Sequence, residues 1–400
     1  MMFLVKPEML LPEGESVSIL VGPNGSGKSS YLRDIATMHR YDRSVTVVCN
    51  TPHDRFEGVK RVKRMSLGRL NGSPKAVVKD AIAQSLDADN SQFHFISAIL
   101  EQCGYTPRFG FRLKPAKRYG RPVDEVLLDA SFGSPNRGLR RADPDDMEKA
   151  VHFLTRFDPS ETLWIDTTGS LYEFSRAREF AAVLRCERAL RSERMLTGIE
   201  VYLERYDDGE QIELQHASSG QLSLISTLLF IIASAGKNPV IVIDEPENSL
   251  HPSWQRDYVG KLMDALTYRN ATVLIATHAP MVVTGALASN QKLVNVYEVL
   301  KGLPRLLDID PEGSPASGIE EVLWRAFDIV TPANHFVSES IVAAMTEFEE
   351  GRSSKSDFLA LVDDLDAQSF DDRQKRFFGA VRDLADKVEA AHDEADASDA

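Results

Sequence analysis

Cysteine is scarce in this chain: Cys49, Cys103 and Cys186 are the only three in 400 residues. Thiols so widely spaced build neither a disulfide framework nor a zinc-ligand spacing, and they fit a reducing, cytoplasmic compartment. Long apolar runs are missing too. The longest, residues 222–236, is interrupted by Ser223, Ser226, Thr227 and Ser234 and is too short to cross a bilayer. The opening MMFLVKPEMLLPEG lacks a basic stretch followed by a long apolar segment and a small-residue cleavage site, so no secretory signal is expected. Positive charge is in short supply: 46 Lys and Arg stand against 60 Asp and Glu, a net charge of −14. That argues against a surface with general affinity for nucleic acid while leaving room for a local basic stripe. Much of the acidity sits at the end, where residues 347–400 hold 16 acidic and 7 basic residues. Neither an internal repeat nor a sustained heptad occurs, so no solenoid or long coiled coil is expected.

What is present is a globular composition, 43% hydrophobic and 26% charged, which excludes wholesale disorder. The order of elements predicts an α/β fold. Strand-like MFLV and SVSILVG lead through a glycine-rich turn into a helix from Ser29 to about His39 and a β-branched run, SVTVVC. Residues 51–200 are more charged and turn-rich, with helices expected around 75–103, 145–156 and 172–194. Two alternating runs then flank YDDGE, an Asp-Gly hairpin signal. A long apolar helix follows, and after it PVIVIDE and ATVLIATH read as strands buried on both faces of a parallel sheet, with the amphipathic helix WQRDYVGKLMDAL between them. Beyond about residue 318 the pattern turns helical (GIEEVLWRAF, SESIVAAMTEFEE, RQKRFFGAVRDLADKVEAA). The expected organisation is a core from 1–50 and 198–300, an insertion at 51–197, a helical region at 301–390 and a disordered acidic tail at 391–400.

Residues 22–29, GPNGSGKS, fit G-x-x-x-x-G-K-[ST] between a buried strand and a helix. Gly22, Pro23, Asn24, Gly25, Ser26 and Gly27 would wrap backbone N–H groups around phosphates at a helix N-terminus, with Ser30 alongside. Lys28 would reach the β and γ phosphates, and the Ser29 hydroxyl would ligate Mg²⁺. Asp244 and Glu245 end a buried strand, where carboxylates are costly without a partner; beside a magnesium nucleotide, Asp244 would support the metal and Glu245 would polarise the attacking water. His278 closes the next strand and comes within reach of the γ-phosphate if the two strands are neighbours. Two basic clusters, Lys60, Arg61, Lys63 and Arg64, then Arg108, Arg112, Lys114, Lys117, Arg118 and Arg121, are interleaved with Tyr105, Phe109, Phe111 and Tyr119. They read either as a solvated charged face or as a DNA or RNA backbone site with stacking aromatics. Phe370, Phe377, Phe378 and Leu384 read as core or partner-helix contacts.

The succession GPNGSGKSS, SSGQ, VIVIDEPENSLHP, LIATHAP resembles the ATP-binding-cassette (ABC) ATPases, in the soluble AAA_21-type branch that includes RecF, SMC-like and overcoming-lysogenization-defect proteins. The likeness covers residues 1–50 and 205–285. It implies a homodimer in which ATP is sandwiched head to tail and the signature loop of one head seals the nucleotide of the other. Ala217-Ser218-Ser219-Gly220-Gln221 takes the place of the family's L-S-G-G-Q, so Ser218, Gly220 and Gln221 would bind the γ-phosphate across the dimer. Ala217 and Ser219 depart from that pattern, and SSGQ taken alone is an ordinary helix cap. Residues 246–252 resemble the loop that couples the two sites. A Q-loop glutamine is also implied, with Gln84, Gln92 and Gln102 all in range. CNTPHDRF, EPENSLHPSWQ and GIEEVLWRAF look closest to stand-alone ATPase subunits of antiphage systems such as Septu and its retron-associated relatives. Nucleases of the overcoming-lysogenization-defect type continue into a metal-binding domain; VNVYEVLKG has no such sequel and Asp308-Ile309-Asp310 reads as a loop, so no nuclease centre is expected here.

The resemblance therefore implies a Mg²⁺-dependent ATPase, a homodimeric switch for a separately encoded effector, a nuclease in antiphage defence. A DNA-repair or chromosome-maintenance ATPase acting directly on DNA is the alternative. A transporter subunit is disfavoured by the long insertion and the altered signature, and a nucleotide-responsive assembly protein that scarcely hydrolyses has only Ser219 in its favour.

Overall fold

The computed structural model describes residues 14–51, 53–66, 73–87, 93–116, 143–168, 174–267, 269–307, 327, 335–367, 378–379, 381–386 and 388–389. The expected strand MFLV, most of GIEEVLWRAF, Asp308–Asp310, Gln92, Lys117, Arg118, Tyr119, Arg121, Phe370, Phe377 and the acidic tail lie outside them.

The chain is α/β, as expected. Among the described residues seven strands form one sheet: β1 (Ser16–Val21), β2 (Val45–Cys49), β3 (Lys63–Ser66), β8 (Val240–Asp244), β9 (Thr272–Ala276), β10 (Val294–Leu300) and β11 (Leu303–Leu306). Their order is β11-β10-β1-β9-β8-β2-β3, parallel throughout except for the β10/β11 hairpin. Side chains alternate across a strand, and here both sets are buried. Val240 and Val242 of β8 pack with Leu20, Leu274 and Ala276 on the face covered by helix α1 (Lys28–His39), which contributes Leu32 and Ile35. Ile241 and Ile243 pack with Ile19, Val273 and Ile275 on the other face, toward helices α6 (Ser219–Ser234) and α7 (Pro252–Ala265). Two-sided burial explains why these strands read as unbroken apolar runs. Helix α6 is apolar on all sides because it lies in the core.

A second, antiparallel sheet runs β5 (Leu163–Asp166), β4 (Arg108–Pro115), β6 (Leu196–Glu204), β7 (Gln211–Glu213), with the β6/β7 hairpin turning at the Asp-Gly. Among the described residues between 74 and 192 the helices are α2 (Pro74–Asp87), α3 (Phe93–Gln102), α4 (Pro144–Arg156) and α5 (Phe174–Ser192). Strand β3, from the segment expected to be an insertion, extends the parallel sheet, while β6 pairs with β4 of that segment, so sheet pairing crosses both expected boundaries. After α8 (Pro280–Asn290), α9 (His335–Glu349) and α10 (Lys355–Ala367) share a separate apolar cluster with Phe378, Val381 and Ala385, while Leu384 is about half exposed.

Strand register makes the site. Leu20 stands opposite Ala276, Ala276 opposite Asp244 and Asp244 opposite Cys49. The residues that follow each strand therefore emerge in one row at the carboxyl edge of the sheet: Gly22, His278, Glu245 and Asn50. Ligands of open α/β sheets bind at this edge.

Candidate functional site

The loop from Gly22 to Gly27 joins β1 to α1. Gly22, Gly25 and Gly27 have φ of 134°, 81° and 105°, which gives the loop its turn. Pro23, Asn24 and Gly25 are exposed, whereas Ser26 and Lys28 are buried. Lys28 Nζ donates to the carbonyls of Gly22 (2.6 Å) and Pro23 (3.1 Å) and lies 3.4 Å from His278 Nδ1. An ammonium has only protons to give, so Nδ1 accepts and the ring proton sits on Nε2, 3.3 Å from Glu245 Oε1. His278 thus bridges Lys28 and Glu245. Burial lowers the Lys28 pKa, and the charges of Glu245, Asp244 and Glu247 oppose that shift.

Ser29 Oγ donates to Asp244 Oδ1 at 3.0 Å. Asp244 Oδ2 is buried with no partner. Burial pushes this carboxyl up to about 6; the Ser29 hydroxyl opposes the shift, Glu245 and Glu247 add to it, and Arg55 opposes it again. A fully buried carboxylate oxygen without a donor is costly, and a divalent cation relieves the cost. The hydroxyl and carboxylate pair, with the ammonium beside it, fits a magnesium nucleotide.

Glu245 has φ 54°, a left-handed conformation that a bulky residue seldom holds, with a strain of roughly 1–2 kcal/mol. The turn is held by its N–H on Ala276 O (2.8 Å) and by Asn248 Nδ2, which donates to Glu245 Oε2 (2.8 Å) and to Asn50 O (3.1 Å). Glu247 Oε1 accepts the His278 N–H at 2.6 Å while Oε2 is buried without a partner, and burial raises this carboxyl's pKa against the hydrogen bonds that lower it. Four residues of this site were given no role of their own by the sequence: Asn50, Arg55, and Glu247 and Asn248, which were noted only within the 246–252 coupling loop. Arg55 donates to Ser30 Oγ at 3.2 Å, and Asn50 Oδ1 is another buried acceptor without a partner. Both lie in CNTPHDRF, so the signal was at hand; only the pairing of β2 with β8 shows where that segment goes. Of the candidate glutamines, Gln84 is exposed on α2 and Gln102 ends α3; among the described residues neither is hydrogen-bonded to 22–30 or 244–248.

Ser218 caps α6: its Oγ accepts from Gln221 N (3.2 Å) and its N–H donates to Gln221 Oε1 (3.0 Å), a reciprocal capping box. Gln221 also accepts from Tyr105 OH (2.8 Å) and donates to Cys103 O (2.9 Å), so its amide is engaged within the chain. The Ser218 hydroxyl proton remains free to donate, and Ser218 and Ser219 are exposed. Gly220 is compelled by packing: a Cβ there would sit 2.6 Å from Ser249 O. Among the described residues, no hydrogen bond joins 218–221 to 22–30. The structure gathers Lys28, Ser29, Asp244, Glu245 and His278 at one edge and sets the signature loop against the 246–254 turn.

Among the described residues, the basic stripe with interleaved aromatics does not form. Phe109 and Phe111 are 0% exposed, and Phe111 packs on Phe180 at 5.2 Å; Tyr105 is buried as well. Alternation puts Arg108, Arg112 and Lys114 on the opposite face of β4 from those rings. There each is partnered within the chain: Arg108 with Glu204 and the Trp164 ring, Arg112 with the Tyr202 ring and Thr162, Lys114 with Glu200. Lys63 donates to Ser234 O and Arg64 pairs with Asp54, while Arg61 lies over the Tyr41 ring. The cysteines are buried and unpaired, and no described helix is long and apolar enough to cross a membrane.

Residues 116–284 match the family model described as "AAA domain, putative AbiEii toxin, Type IV TA system". The match spans the signature loop, Asp244-Glu245 and His278, and the phosphate loop precedes it. Protein ea59 of Escherichia phage lambda is 28% identical over 131 residues, 32% of this chain and 25% of that protein. The retron Vc95 probable ATPase of Vibrio cholerae is 30% identical over 154 residues, 36% of this chain and 28% of that protein. The aligned segments thus span about a quarter of each curated relative. A dimeric bacterial ABC transporter cassette aligns at 16% identity over 74% of this chain and 86% of its own, with a TM-score of 0.24, too low to bear on the argument. Over residues 116–284 the chain is thus similar to the AAA_21 family of AAA domains.

Proposed function

We propose that this protein binds and hydrolyses ATP as a homodimeric switch whose closed and open states regulate a separately encoded effector, a nuclease, in antiphage defence. The observation that carries the ATPase reading is the convergence of Lys28, Ser29, Asp244, Glu245 and His278 at one sheet edge, with Asp244 Oδ2 buried and unpartnered. Ser29 and Asp244 would hold Mg²⁺, which neutralises charge on the phosphates. Lys28, held on the Gly22 and Pro23 carbonyls, is placed to transfer to the β and γ phosphate oxygens. Glu245, oriented by His278 and Asn248, accepts a hydrogen bond from the attacking water, and His278 passes the position of Lys28 on to Glu245. The exposed Ser218 hydroxyl at the α6 N-terminus is the donor for a second head's γ-phosphate. The defence role is supported by the likeness to a retron ATPase over 154 residues, 36% of this chain.

Glu245→Gln keeps the shape and removes the base. It should slow ATP hydrolysis by on the order of a hundredfold or more while ATP still binds; an unchanged rate overturns the role of Glu245. The same variant, purified with ATP and Mg²⁺ from its host, should retain a stoichiometric nuclease-like protein. A lone dimer carrying DNA would move the reading to repair.

A further inference from the structure

The phosphate loop is held from behind by a hairpin that no motif includes. Leu300 of β10 pairs with Leu303 of β11, so Lys301 and Gly302 form a two-residue turn, and both have positive φ, 51° and 79°. This is the turn that matches strand twist, and it ordinarily carries Asn-Gly or Asp-Gly; a lysine at its first position is held in a conformation it disfavours. The tip touches the loop in two places. The Gly302 N–H donates to Ser26 O at 2.7 Å, and a Cβ on Gly27 would lie 2.8 Å from Gly302 Cα. One strand position back, a Cβ on Gly22 would meet Val299 O at 2.8 Å. Two glycines of the motif are therefore demanded by the hairpin as well as by any phosphate. The hairpin is itself anchored, since Val299 is fully buried and β10 runs in register with β1 from Val17–Val294 to Val21–Glu298.

We propose that the β10–β11 turn is a positioning element of the phosphate loop: Gly302 holds the Ser26 carbonyl and the Gly27 backbone in the shape that binds nucleotide, so that nucleotide affinity depends on the hairpin. The inference rests on residues 22–29 being the ATP-phosphate site. A loop held at the Ser26 carbonyl by Gly302 and closed by the Ser26 N–H on Pro23 O (3.2 Å) is pre-organised for oxygen ligands. Linkage makes the coupling reciprocal, so ATP must in turn tighten the hairpin.

The test uses the full chain. Gly302→Val disfavours the left-handed turn and displaces the amide, and it should raise the Kd for ATP on the order of five- to tenfold. Leu306→Ala, an exposed residue at the far end of β11, should leave that Kd unchanged. In the wild type, hydrogen exchange at the amides of 299–303 should slow when ATP is added, a response that a merely structural turn does not show. Should Gly302→Val fail to fold, the exchange measurement decides alone. Wild-type affinity in Gly302→Val, or exchange indifferent to ATP, overturns the proposal. Wild-type protein and Lys28→Ala measured in parallel separate the two ideas: if the wild type binds ATP and Lys28→Ala does not, the phosphate-site reading stands whatever Gly302 does.

Discussion

Both sheets gather carboxylates against basic or hydrogen-bonding groups, and they leave them in opposite states. At the edge of the parallel sheet, Asp244 Oδ2, Glu247 Oε2, Asn50 Oδ1 and Ser26 Oγ are buried without partners. On the outer face of the antiparallel sheet the carboxylates are satisfied. Glu204 Oε2 accepts from Arg108 Nε at 2.6 Å and Thr106 at 3.0 Å. Burial alone would raise the Glu200 carboxyl, but hydrogen bonds from Lys114 and Tyr202 and the Lys114 charge hold it below the usual value. Unmet polar demand marks a place that waits for a ligand; met demand marks a place that holds the fold together.

The largest effect should come from the centre of the unmet set. Lys28→Ala removes a buried cation on which Glu245, Asp244 and Glu247 all act, and titration with a fluorescent ATP analogue should show about a hundredfold loss of affinity. Next, neutralising one carboxylate in each region should move stability in opposite directions. The Asp244 pKa is about 6 in the folded protein against 3.8 as the ordinary value, so the folded state holds its proton more tightly than the unfolded one. The stability this group contributes is full below about pH 4 and is lost as pH rises through about 6. Asp244→Asn should therefore stabilise the ligand-free protein at pH 8 by on the order of 1–3 kcal/mol, with the gain gone below about pH 4. Mg²⁺ with ATP should raise the melting temperature of the wild type more than that of the variant. Glu204→Gln should instead destabilise by about 1 kcal/mol at pH 8, a modest figure because Arg108 is 39% exposed and solvent screens the pair. If chemical denaturation shifts both variants the same way, the contrast between the regions fails. The smallest effect belongs to Lys114→Ala: its pair with Glu200 is half exposed, so a change of no more than about 0.5 kcal/mol, shrinking with added salt, and unaltered ATP turnover are expected.

Much of the core was legible from residue order. The buried strands VIVID and TVLIA, the helix after GKS and the Asp-Gly hairpin each carry a local pattern, and local patterns act within a few residues. Lys28, Ser29, Asp244, Glu245 and His278 could be picked out for the same reason, as glycine spacing or as costly groups at strand ends. Of the two readings of the basic clusters, the described residues favour the charged face, because alternation along β4 sends Phe109 and Phe111 into the core and Arg108 and Arg112 to the other face. Asn50 and Glu247 were given no role of their own because neither has a local signature for one; each matters through a neighbour far away in sequence, Asp244 or His278.

By itself the sequence determined where the buried strands of the parallel sheet and the helices beside them form, and that a glycine-rich G-x-x-x-x-G-K-S loop precedes two strand-end carboxylates and a histidine. Tertiary structure alone decided the row that levels Leu20, Ala276, Asp244 and Cys49, the capture of Gln221 by Tyr105 and Cys103, and the seat of Gly302 on Ser26. The physical reason is range: propensity and periodicity are properties of neighbouring residues, whereas register and burial join residues that meet only when the sheets assemble.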